Sequence, residues 1–114
     1  MKLFNQEVLR VILLNTRLRH VSTVEISRGT INESLAHPRE IFRPAVALSA
    51  YAVILAHNHP YGDPAPSDAD TRLTRRVAEA AKIFQIHFLD HVIIGQRFHG
   101  NPPYFSFKGA GLLS

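Results

Sequence analysis

A chain of 114 residues, nearly half of them hydrophobic, is long enough for one domain with its own core and too short for two. It has no cysteine, which excludes disulfides and thiolate metal sites, so any metal would be held by carboxylates and by some of the seven histidines. The net charge of +4 permits weak attraction to nucleic acid without demanding it, and no apolar run approaches the ~20 residues of a membrane span.

No secretory pattern opens the chain, so a cytoplasmic location is expected. The first apolar run, Val8 to Leu14, predicts a strand, and the polar residues 16–19 a hairpin turn. His20 to Ser27 then returns as a second strand. Gly29 punctuates, and Ile31 to Leu35 reads as a third short strand. Pro38 suits the first position of a helix. Pro44 conflicts with that helix, because it lacks a backbone donor, and predicts a kink or a late start.

Tyr51 to His57 reads as a buried strand. The proline-rich loop 60–66 cannot be helix or central strand. From about Asp68 to Phe84 a helix follows. Its apolar stripe is Leu73, Val77, Ala80, Ala81 and Phe84, and Arg72, Arg75, Arg76, Glu79 and Lys82 face water. Ile86 to Gly95 and Tyr104 to Phe107 complete a β-β-β-α-β-α-β-β order, a mixed α/β sheet layered with two helices.

The segment from His57 to Asp70 carries the chemistry. Residues two apart on a strand point to one side, so His57 and His59 emerge together at the strand end. Two neutral imidazoles and the Asp70 carboxylate make three ligands and leave a fourth tetrahedral position open, the arrangement of catalytic zinc. Ser67 and Asp70 also match a helix capping box, which places both side chains at a helix N-terminus. The two roles are compatible. Hydrolysis needs a base as well, and spacing does not choose it among Glu7, Glu25, Glu33, Glu40, Asp63 and Asp90. The basic helix face, Arg72, Arg75, Arg76 and Lys82, has the pattern of an ordinary solvated surface, which makes nucleic-acid binding the lesser reading.

The residues Ser27-Arg-Gly-Thr30, His37-Pro-Arg-Glu-Ile-Phe42, Ile54-Leu-Ala-His-Asn-His-Pro60, Pro66-Ser67, Asp70 and Leu89-Asp-His-Val-Ile-Ile-Gly95 span nearly the whole chain. Together they resemble the C-terminal domain of bacterial RadC proteins, a branch of the JAB/MPN (JAMM-motif) metalloprotease-like superfamily. The resemblance implies a three-layer, cytidine deaminase-like arrangement, with a curved mixed sheet and two flanking helices, in a single domain over 1–114.

It further implies one Zn²⁺ per chain held by His57, His59 and Asp70. Ser67 would steady the tetrahedral intermediate, and Glu7 ranks first as base, ahead of Glu40. The expected activity is cleavage of a peptide or isopeptide bond, with a peptide or protein as substrate. The alternative is a catalytically silent DNA-associated or protein-interaction module of this DNA-repair-associated family. A zinc-dependent phosphodiesterase fits less well, since such chemistry commonly uses two metals.

Two departures stand out. Asn58 replaces the serine or threonine of protease members, as is normal in the RadC branch, and Tyr61 replaces the serine usual in that branch. Asn58, Tyr61 and Asp90 are candidates for second-layer support or substrate contact, and the Asp90-His91 pair for orienting a ligand imidazole. His20, His37, His87 and His99 are read as structural or surface residues. The helix-hairpin-helix region usual before this domain is not in the sequence, so the chain reads as the C-terminal domain alone. Oligomeric state is not legible.

Overall fold

A computed structural model describes residues 6–29, 37–60, 62–96 and 102–113. The proposed strand Ile31 to Leu35, together with Glu33, Tyr61 and His99, lies outside the described residues. The elements are β1 (Val8–Leu14), β2 (His20–Arg28), α1 (Pro38–Ala47), β3 (Ala52–Asn58), α2 (Asp68–Phe84), β4 (His87–Ile94) and β5 (Tyr104–Ser106). They form a mixed five-stranded sheet, in the order β2-β1-β3-β4-β5, with two helices. Among the described strands only β3 and β4 are parallel, and α2 supplies the crossover that parallel neighbours require.

Alternation along β1 sends Leu9, Val11 and Leu13 into the core, where they meet Val53 and Leu55 of β3. Ile41, Phe42 and Ala45 of α1 and Leu73, Val77 and Ala81 of α2 close the same cluster. Phe42 stacks on Phe84 at 5.2 Å, joining the two helices. Burying each of the larger aliphatic and aromatic side chains contributes roughly 1.5–3 kcal/mol, so the sheet centre and the α2 stripe form a rigid support for whatever the strand ends carry. Helix α1 does not start late. It begins at Pro38, runs through Pro44 and stops at Ala47, so the donor missing at Pro44 falls in the last turn of a short helix. Among the described residues no helix is long and apolar enough to cross a membrane.

One irregularity matters for the site. Between β3 and β4 the pairing runs Val53 to Phe88 and then Ile54 to Asp90, so Leu89 has no partner and β4 bulges there. A bulge of one residue reverses which side chains face which side. Beyond it, His91 lies opposite Leu55 and Ile93 opposite His57.

Candidate metal centre

The site sits at the C-terminal end of parallel β3, the end of a parallel strand where α/β sheets carry their ligands. His57 follows Val53 and Leu55 on the core side of the strand and is 1% exposed. His59 lies just past the strand end, where its N–H donates to the Ile94 carbonyl at 2.7 Å. In the antiparallel β1–β3 pair, Leu9 faces His57. Continuing that register by two brings Glu7 opposite His59. One ligand atom each from Glu7, His57 and His59 lie within 4.8 Å of one another.

Asp70 comes from α2. The capping box expected from sequence is formed: Asp70 N–H donates to Ser67 Oγ at 3.1 Å, and Ser67 N–H donates to Asp70 Oδ2 at 2.8 Å. That box turns the 5%-exposed Asp70 inward, toward the histidines. Its Oδ2 stands 3.2 Å from His59 Nε2 and its Oδ1 3.6 Å from His57 Nε2. Ser67 Oγ accepts in the box and so keeps its hydroxyl proton to give.

The hydrogen bonds behind the imidazoles orient them. His59 Nδ1 lies 3.0 Å from the Asp63 carbonyl. A carbonyl only accepts, so Nδ1 carries a proton, and in the neutral ring Nε2 has the lone pair. His57 is held from the other side: its Nδ1 is 3.3 Å from His91 Nε2, and His91 Nδ1 is 2.7 Å from Thr74 Oγ1. Thr74 Oγ1 is also 2.8 Å from the Asp70 carbonyl and donates to it. The chain then has one direction. His91 Nδ1–H donates to Thr74, His57 Nδ1–H donates to His91 Nε2, and the lone pair of His57 Nε2 faces Asp70.

The lone pairs of two imidazoles and the charge of a carboxylate therefore converge on one volume, which a proton or a cation must occupy. The titration behaviour agrees. Burial pushes Asp70 upward, yet the bonds from His59 and Ser67 outweigh it and hold the carboxyl at about 2. The contact with Asp70 raises His59. Burial lowers His57, and burial together with neighbouring His57 lowers His91 to about 3, which keeps both neutral as metal ligation and its support require. With imidazole and carboxylate as the only donor types, the set fits zinc.

The structure corrects one supporting role and supplies others. Asp90 does not orient a ligand histidine. The bulge at Leu89 leaves its carboxylate with His91 N–H, Ser106 Oγ and Lys108 N–H. His91 is the ring that reaches His57, and Thr74 is its anchor. The sequence reading missed Thr74, which looked like one more position on a helix face. It also missed Gly95, where an added Cβ would fall 2.6 Å from the Gly62 carbonyl and 2.8 Å from Pro64 N. Only glycine lets loop 62–64 lie this close to the end of β4, from where the Asp63 carbonyl reaches His59. Glu40 stands away from the site and pairs with Arg39 and Arg43 on α1, and Glu25 pairs with Arg28 on β2.

Fold and site together define an α/β domain with a His-x-His and aspartate centre at the end of a parallel strand. The chain belongs to the RadC-like JAB domain family, which matches residues 1–112. It is similar to a UPF0758 protein of Trichlorobacter lovleyi, 49% identical over 108 residues, and to one of Geobacter sulfurreducens, 48% identical over 108 residues. Each match covers 95% of this chain and 45% of the relative. A UPF0758 protein of Clostridium botulinum is 47% identical over 113 residues, which is 99% of this chain and 47% of that protein. The chain thus spans just under half the length of the curated relatives it matches.

Proposed function

We propose that the domain is a zinc-dependent hydrolase acting on a peptide or isopeptide bond. The observation that carries this reading is the meeting of Glu7, His57 and His59 within 4.8 Å, beside a buried carboxylate that touches both rings. His57, His59 and Asp70 would hold one zinc ion. When bound, zinc would polarise the scissile carbonyl and acidify water in its open position.

The remaining work falls to the protein. Glu7 takes the proton of the attacking water and passes it to the leaving amine, the part a carboxylate within hydrogen-bond reach can play. Ser67 offers its hydroxyl proton to the developing oxyanion, at a helix N-terminus whose dipole favours negative charge. Asp63 and His91 keep the two imidazoles turned with Nε2 inward.

Elemental analysis of protein purified without added metal is the first test. About one zinc per chain is expected, absent in His59→Ala. A screen of peptide and isopeptide substrates should then find hydrolysis, reduced about 10²- to 10⁴-fold in Glu7→Gln with zinc retained. No zinc after reconstitution would overturn the hydrolase reading. Zinc without hydrolysis of any such substrate would favour the silent, DNA- or protein-associated module. In that case Arg75→Ala and Arg76→Ala should weaken DNA binding in a salt-dependent manner.

A further inference from the structure

Backbone pairing of β1 with β3 ends at Leu9 and His57. The next residue of β3, Asn58, is wholly buried. A primary amide without partners there would cost about 1–3 kcal/mol, yet both of its polar atoms are bonded. Asn58 Oδ1 accepts from Val8 N–H at 2.7 Å, and Asn58 Nδ2 donates to the Gln6 carbonyl at 3.0 Å. These two partners stand immediately after and immediately before Glu7. From the opposite side, Gly29 N–H of the β2 end donates to the Glu7 carbonyl at 2.8 Å. The backbone of Gln6, Glu7 and Val8 is therefore tied at one group in each residue, two of the three by one side chain.

We propose that Asn58 is a positioning residue for Glu7, setting the carboxylate against the two imidazoles that flank Asn58 in sequence. The inference rests on the reading of Glu7 as the proton carrier of a metal site. The requirement on the side chain is specific. It must accept from one backbone group and donate to another across the strand gap. Alanine does neither, and serine is too short to reach both. Three consecutive residues thus hold both nitrogen ligands and the attachment of the carboxylate, so the distance between base and ligands is set locally rather than through the helices.

Cobalt(II) in place of zinc gives a readout independent of any substrate. Wild type should bind one cobalt with a visible spectrum that changes with pH, and Glu7→Gln should shift the midpoint of that change by about one unit. Asn58→Ala should keep the cobalt stoichiometry and shift the midpoint to the Glu7→Gln value, and the double variant should show no further shift. Asn58→Ser, which can make one of the two bonds, should lie between and serves if Asn58→Ala does not fold. A wild-type midpoint in the Asn58 variants, or shifts that add to that of Glu7→Gln, would overturn the positioning role while leaving the metal site standing. An unshifted Glu7→Gln midpoint would remove Glu7 from the site, and the proposal with it. Failure of the wild type to bind cobalt would overturn the metal reading itself.

Discussion

Strand β4 carries two histidines four residues apart, and they behave as opposites. His87 is exposed, at the start of the strand, and rests on Tyr51 with ring centroids 4.6 Å apart. It lines a cavity of about 610 Å³ with Lys82, Gln85, Ile86, Lys108 and Leu113. His91 is fully buried, stacked on Phe107 at 4.9 Å, and bonded at both ring nitrogens. In an unbroken strand, residues four apart share a face, and the bulge at Leu89 undoes that. The cavity end gathers basic and apolar groups without converging donors. At the other end two imidazoles and two carboxylates come together. A site is made by convergence and by the bonds behind each donor.

The largest effect that would sharpen this contrast is acid sensitivity. His91 is held at about 3 against an ordinary 6.5. The unfolded chain therefore binds the extra proton throughout that interval, and stability falls as pH drops from 6.5 toward 3, by up to about 5 kcal/mol. Asp70, at about 2 against 3.8, adds a further loss as pH falls from 3.8 toward 2. His59 works the other way. Its raised value contributes stability at low pH that disappears as pH rises through its folded value. Urea unfolding of the metal-free protein between pH 7 and 4 should show a steep decline. His91→Phe should flatten it, and an unchanged slope in that variant would assign acid sensitivity elsewhere.

Zinc affinity is the next most sensitive quantity. Loss of the partner behind a ligand histidine commonly costs 10- to 100-fold, so Thr74→Val and His91→Phe should weaken binding in that range in a chelator competition. His87→Ala should bind zinc as wild type does. Equal losses in all three would break the distinction between the two ends of β4.

The smallest effect belongs to Ser67. Removing the cap hydroxyl in Ser67→Ala should cost about 1 kcal/mol of stability by thermal or urea unfolding. Retention of zinc in that variant would separate the cap from the ligand set.

Much of this arrangement is legible in the residue order. Continuous apolar runs of strand length and a stripe with period 3.6 mark the strands from Val8 and Tyr51 and the helix from Asp68, because burial enforces those patterns locally. The His-x-His spacing at a strand end and the Ser67-x-x-Asp70 box are equally local, so the approach of His57, His59 and Asp70 can be anticipated before any contact is known. Glu7 is different: its place follows from the register of β1 against β3, and only resemblance to a family singles it out beforehand.

Tertiary structure decided the rest. Alternation counted from Phe88 puts Asp90 on the core side, and the bulge at Leu89 gives that place to His91, because strand register is settled by pairing across the sheet. Thr74 and Gly95 acquire meaning only from what packs against them. Asn58 lies between the two histidines in plain sight, but its bonds reach back across about 50 residues of chain. Period and spacing are properties of neighbours along the chain. The direction in which each donor points is a property of neighbours in space, and there the folded sheet alone decides.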